Sequence, residues 1–155
     1  DVVEVDGIIG RVQDIGIRTS RIVTRDNIEM IIPNSKFIND PVINWSLNDA
    51  KTRFFVKIGV AYGSDVDLLN KILIDIALDH PLIHKEPKPY VFFRDFGDSS
   101  LNFEIAFWTS DTLANEFIKS DLRFEINRKL AENNITIPFP QRDIHIINDG
   151  NKIKK

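Results

Sequence analysis

Asp65 and Asp67, the histidines at 80, 84 and 145, and the arginines at 11, 18, 21 and 25 are the side chains whose types and spacing could do chemistry. Paired carboxylates such as Asp65-Val66-Asp67 hold hard cations when a third oxygen ligand stands near. None is visible here, and Ser64 with Asp67 three residues later resembles a capping box, which assigns both acids to the start of a helix. His80 and His84 have the i, i+4 spacing of a two-histidine zinc site on one helix face, but Pro81 between them interrupts a regular helix. A metal-dependent centre of Asp65, Asp67 and His80 is therefore the least favoured reading. His145, between Ile144 and Ile146, faces away from them on an extended strand, as a solvent or interface residue does.

Asp95-Phe96-Gly97 is the triplet that binds magnesium in protein kinases, yet no glycine-rich loop or catalytic-loop motif accompanies it, and it reads as a strand ending at a glycine turn. No G-x-S-x-G elbow occurs, and Gly7-Ile8-Ile9-Gly10 lacks both a third glycine and a following helix. The chain has no cysteine, which removes disulfides, thiolate zinc sites and cysteine nucleophiles together. The sequence makes no case for an enzyme, a cofactor or a bound metal. The Arg11–Arg25 face could track RNA phosphates, as small β-barrels often do. Asp14, Asp26 and Glu29 lie among those arginines, however, and only Trp45 offers a large ring for base stacking, so a salt-bridged, solvated face is the better reading.

At 155 residues with 43% hydrophobic content and 11 Phe, the chain can bury a real core. Its net charge of −3 carries no basic footprint for nucleic acid. No apolar run approaches the ~18 residues that span a bilayer. The sequence opens on Asp1 and enters strand-like Val2-Val3-Glu4-Val5 directly, which reads as an excised piece of something longer.

Three segments are expected. Residues 1–48 read as five short strands punctuated by Gly7, Gly10, Asp26-Asn27 and Pro33-Asn34-Ser35, a small bent β-barrel of the SH3 or Sm type. Pro33-Asn34 is expected to be a structural turn. Residues 49–142 change rhythm to a strand (Phe54, Val56, Ile58, Val60), a helix ended by Pro81, two strands joined at Gly97-Asp98, and a helix over about 113–133 with Ile118, Leu122, Ile126 and Leu130 on one face. That β-α-β-β-α order fits a ferredoxin-like domain, so the fold class is α+β. Residues 143–155 form a short terminal strand and a frayed basic tail. Pro138 and Pro140 hold the backbone extended before that strand, which has no local hairpin partner. It must return to its own sheet or pair with other chains, with Ile144, Ile146 and Ile147 as the interface.

The motifs also stand in an order that resembles the cytoplasmic part of the small-conductance mechanosensitive channel family. Val5-Asp6-Gly7 with Gly10-Arg11-Val12 is similar to the entry of that family's β-domain. Arg18-Thr19, Thr24-Arg25-Asp26 and the tetrad Ile32-Pro33-Asn34-Ser35 follow, and Asn44-Trp45-Ser46 ends the module. Gly59-Val60-Ala61-Tyr62-Gly63-Ser64-Asp65 resembles the start of its α/β domain. Gly97-Asp98-Ser99-Ser100-Leu101-Asn102-Phe103 and Trp108 come next, and Ile137–Asp143, with Pro138, Pro140 and Gln141, is similar to its closing motif.

The resemblance implies structural roles for Gly7, Gly10, Pro33, Asn34, Ser46, Gly63, Gly97, Pro138, Pro140 and Gln141. It implies membrane helices ahead of Asp1, an inner-membrane location with this region on the cytoplasmic side, and a homo-heptamer with no nucleic-acid partner. The subunits of such a channel form a hollow cage with lateral openings, and their terminal strands close a parallel barrel. The implied function is a vestibule that organises subunits and filters solutes at the mouth of a tension-gated pore.

Overall fold

The structure, a computed structural model, describes residues 1–46 and 51–145. The period-two stretches of the first segment pair into one antiparallel sheet. Its strands β1 (Val2–Val5), β2 (Ile8–Ile15), β3 (Thr19–Thr24), β4 (Glu29–Pro33) and β5 (Ile43–Asn44) lie in the order β4-β3-β2-β1-β5. Asp6 and Gly7, at φ 52° and 77°, make the β1–β2 turn with the positive dihedrals a tight hairpin needs, and Asn27 at φ 61° serves the β3–β4 turn. An irregularity between Val12 and Asp14 shifts the register of β2 against β3, and such bulges bend a strand. Val3, Val5, Ile22 and Ile32 form the small core, with Val12, Met30, Phe37 and Val42 packed around it.

Two expectations for this segment are corrected. Gly10 does not punctuate a strand end but sits inside β2, where a Cβ would lie 2.4 Å from Ile22 Cγ2 and 2.8 Å from the Val23 carbonyl oxygen. Pro33 ends β4, as a residue without an N–H should. A short helix, α1 (Asn34–Asn39), then follows in place of the expected turn. None of its residues is fully buried, so no apolar stripe announced it.

The second segment builds a separate sheet from β6 (Thr52–Val60), β7 (Tyr90–Phe96) and β8 (Leu101–Thr109), in the order β6-β8-β7 and antiparallel throughout. β8 is central and long. Its Leu101, Phe103, Ile105 and Phe107 are buried against two helices, α2 (Val66–Asp79) and α3 (Asn115–Glu132). From α2 come Leu69, Ile72, Leu73 and Ile76; from α3 come the anticipated Ile118, Leu122, Ile126 and Leu130. The cap of α2 falls one residue later than Ser64. Asp65 Oδ1 accepts from the amides of Asp67 (3.1 Å) and Leu68 (3.0 Å), while Ser64 Oγ donates to the Ala61 carbonyl (2.7 Å). One carboxylate thereby satisfies two amides that the helix leaves without partners.

Beyond α3 the chain returns toward β6, where the Ala61 amide donates to Thr136 O at 2.8 Å, and the Gln141 amide donates to Ser99 Oγ at 3.0 Å. The expected terminal strand does not form within 143–145, and Ile144 is 80% exposed. A lone strand gains no ladder and no covered face. Ile146, Ile147 and the Asn48-Asp49 boundary lie outside the described residues.

Replacing Gly10 by Ala drives the new methyl into the Val23 backbone, which cannot rotate away. Urea denaturation should show a loss of about 1–3 kcal/mol, the cost of overpacking. A stability unchanged within error would show that β3 can move outward freely.

Candidate functional site

The residues singled out for metal or acid–base chemistry are drawn apart. His80 caps the C-terminus of α2; its Nδ1 accepts from the Leu82 amide (3.2 Å) and its Nε2 faces Asp121 Oδ2 of α3 (3.4 Å). His84 Nε2 lies 2.8 Å from Ser110 Oγ. The Asp65 carboxylate is occupied by the helix cap. Among the described residues no group of three or more His, Cys, Asp or Glu is placed to hold a metal ion. Asp95 and Phe96 end β7, and Gly97 turns the chain, its amide donating to Ser100 O (2.8 Å) while Tyr62 Oη donates to Gly97 O (2.6 Å). Of the arginine face, Arg21 stands between Asp14 and Glu29 at 3.4 Å from each.

The motif residues serve local geometry. Asn34 is the most connected. Its Nδ2 donates to the carbonyls of Gly16 (2.9 Å) and Ile17 (3.2 Å), its Oδ1 accepts from Ser20 Oγ (2.8 Å), and its amide donates to Arg18 O (2.8 Å). One side chain therefore locks the β2–β3 loop, and it does so by contacts 14 to 18 residues away in sequence. Ser46 Oγ accepts from the Val2 amide at 2.8 Å. Gly63, at φ 85°, occupies the left-handed region, and a Cβ on Gly97 would meet Asn102 Nδ2 at 2.6 Å. Pro138 and Pro140 lie in extended chain without ladder bonds. The hydrogen bond from Lys36 to Asp6 (2.6 Å), together with the charges of Asp6 and Asp40, raises the Lys36 ammonium above its ordinary range. The hydrogen bond that Arg128 donates to Glu125 raises the Arg128 guanidinium, and the one that Lys129 donates to Glu132 lowers the Glu132 carboxyl. All three lie in solvent, where such pairs contribute little.

Among the described residues Trp45, weighed above as a base-stacking ring and as a module end, links the two sheets. The Trp45 amide donates to Val2 O (2.9 Å), and its indole N–H donates to Glu4 Oε2 (3.1 Å). Its ring stacks on Phe54 of β6, with centroids 6.1 Å apart at 17°. Phe54 in turn lies against Phe107, 6.2 Å away, and beneath the Lys119 ammonium, 5.4 Å from its centroid. A cleft of 490 Å³ opens beside this seam, lined by Arg11 and Ser46 on one side and Ser110–Leu113 on the other.

The structure also exposes several large apolar side chains. Ile17 is 99% exposed on the loop that Asn34 locks, with Ile15 and Ile38 also open. Ile15, Phe37 and Ile38 border a groove of 770 Å³ whose wall is mainly carbon. No chemistry is built into that groove; it has the composition of a contact surface.

Truncating Asn34 to Ala leaves the buried Ser20 hydroxyl and two loop carbonyls without their partner. The expected cost is about 1–3 kcal/mol in chemical denaturation. Unchanged stability combined with loss of a small-molecule ligand would make Asn34 a binding residue instead.

Comparison with known proteins follows the same division of the chain. The model described as "Mechanosensitive ion channel, beta-domain" matches residues 1–47, and "Mechanosensitive ion channel MscS, C-terminal" matches residues 55–137. The chain is 38% identical over 149 residues to the mechanosensitive channel MscK of Escherichia coli, covering 96% of this chain and 13% of that protein. It is 35% identical to the small-conductance mechanosensitive channel of Edwardsiella ictaluri, covering 94% of this chain and 50% of that one. The crystal structure of Helicobacter pylori MscS in its closed state superposes with a TM-score of 0.82 at 34% identity, over 96% of this chain and 58% of that chain. Arabidopsis thaliana MSL1, at 13% identity and a TM-score of 0.67, shares the fold. The chain thus spans between an eighth and rather more than half of these proteins. It belongs to the MscS family of mechanosensitive ion channels.

Proposed function

We propose that this chain is the cytoplasmic vestibule region of a tension-gated channel of the inner membrane. In this reading it holds the subunits of a homo-heptamer in register and filters solutes at the inner mouth of the pore. The observation that supports it is the match to the closed Helicobacter pylori channel over 96% of this chain, at 34% sequence identity and a TM-score of 0.82. No described helix is long and apolar enough to cross a membrane, so the pore is assigned to other parts of the protein. Tension favours whichever pore state has the larger in-plane area, and the vestibule keeps the subunits aligned while that area changes. Within this reading the first sheet is an Sm-like β-barrel module, residues 1–48. Residues 49–142 form a ferredoxin-like module whose sheet, β6-β8-β7, stops at three strands.

The tail completes the assembly. Ile144 is exposed and unpaired in a single chain, and a closed barrel of like strands from neighbouring subunits would remove every free edge. Each short strand gives up its freedom on joining, so association of the chain by itself is expected to be weak. Tethering through a membrane part raises the effective concentration and offsets that cost. Light scattering over a concentration series, with and without residues 143–155, tests this. The full chain should gain mass with concentration and the shortened chain should gain less. Stable oligomers that survive the deletion unchanged would remove the tail from the assembly.

A further inference from the structure

The connection from α2 to β7 is fastened by an imidazole whose two nitrogens do different work. His80 ends α2, and its side chain is only 11% exposed. A backbone N–H can only donate, so the Nδ1 that receives the Leu82 amide at 3.2 Å carries no proton. The neutral ring is thereby fixed with its proton on Nε2, which faces Asp121 Oδ2 of α3 at 3.4 Å. The same turn is closed through the backbone, where the Ile83 amide donates to His80 O at 3.2 Å, and Ile83 is anchored in the core. A second proton on the ring must go to Nδ1, where it meets the Leu82 N–H and cannot share the space. Charging His80 therefore breaks one of its two bonds.

The surrounding charges decide what takes its place. His80 stands at one end of a 610 Å³ cleft between the helices, to which α2 contributes Asp75 and Asp79, and α3 contributes Asp121, Glu125, Arg128 and Lys129. Both of those cations are bonded to glutamates of α3, Arg128 to Glu125 and Glu132, and Lys129 to Glu132. Pro81 and Leu82 bring no charge. The last turn of α2 holds no basic side chain, so the negative end of that helix has no cation of its own. We propose that His80 is a proton-operated switch in the α2–β7 connection. Neutral, it closes the Leu82 turn; charged, it releases Leu82 and grips Asp121 and the end of α2. The neutral contact to Asp121 is longer than an ordinary hydrogen bond, and a charge-assisted one closes to about 2.7–2.9 Å. Acid thus ties α2 to α3 while it frees the chain that follows. The switch lies within one module and does not depend on how the chain assembles.

Two neutral substitutions separate the nitrogens. In His80→Asn the side-chain oxygen can take the place of Nδ1, and in His80→Gln the side-chain nitrogen can take the place of Nε2; neither titrates. NMR of the full chain is followed from about pH 7.5 to about pH 5.5, the interval in which an imidazole changes charge. In the parent the Leu82 amide proton should move upfield with the same midpoint as the His80 Cε1 proton, and its exchange, corrected for intrinsic pH dependence, should become several-fold faster. His80→Asn should keep the Leu82 amide in its bonded position at both ends of the range. His80→Gln, used if His80→Asn melts early, should show it released at both ends. Asp121→Asn should lower the melting temperature more at the acid end than at the neutral end, because only the charged ring leans on that carboxylate. A Leu82 amide that ignores the His80 midpoint, or that titrates alike in the parent and in the neutral variants, overturns the switch. An Asp121→Asn deficit that is the same at both ends overturns the transfer of the contact to α3, and the proposal with it.

Discussion

The stacking of Trp45 on Phe54 is the contact on which the arrangement of the rest depends. Each sheet has its own core: four buried residues in the first and a much larger set in the second. Neither core reaches the other. Trp45 is tied to β1 by its backbone amide and its indole N–H, and its ring lies on a phenylalanine that is itself packed on Phe107. Trp45 and Phe54 are each half-buried, and a stacked aromatic pair contributes roughly 0.5–1.5 kcal/mol beyond its area. Among the described residues the two sheets are therefore joined by a small, specific contact.

The cores are unequal for reasons visible in their strands. β8 alternates without a break, Leu101, Phe103, Ile105 and Phe107, and stands between two partners, so its inward side chains all find cover. In the first sheet Ile15 and Ile31, and Ile28 just ahead of β4, stay exposed. Among the described residues the one helix there, α1, is too short to cover a sheet face. Large exposed apolar patches are uncommon on monomeric proteins. The small module therefore leaves open apolar side chains of the kind that α2 and α3 cover in the large one.

The polar groups whose types suggested chemistry take part in local structure. The carboxylates, imidazoles and guanidinium groups that looked promising are each spent on local structure: Asp65 on a helix cap, His80 between two helices, Arg21 between two acids. Asn34, in the tetrad most easily recognised, holds a loop shut and thereby presents Ile17 on a fixed scaffold.

Much of the fold was legible because it follows from local rules. Alternation located β6 and β8, the i, i+4 repeat from Ile118 to Leu130 located α3, Pro81 ended α2, and Asn27 took the positive φ its turn requires. The ordered motifs from Val5 to Asp143 pointed to the family. What the sequence could not decide was any feature that depends on partners distant along the chain. The stop at Pro33 gave no hint that Asn34 would open a helix while binding a loop 14 to 18 residues earlier. The glycine at 10 looked like punctuation until the approach of β3 made a side chain there impossible. Ile15, Ile17, Phe117 and Phe124 are left exposed, and periodicity records that a side chain is hydrophobic but not whether another element arrives to cover it. Residue type and spacing by themselves determined the elements and their order. Only the tertiary structure decided which of their faces were covered, because cover is supplied by segments far away in the chain.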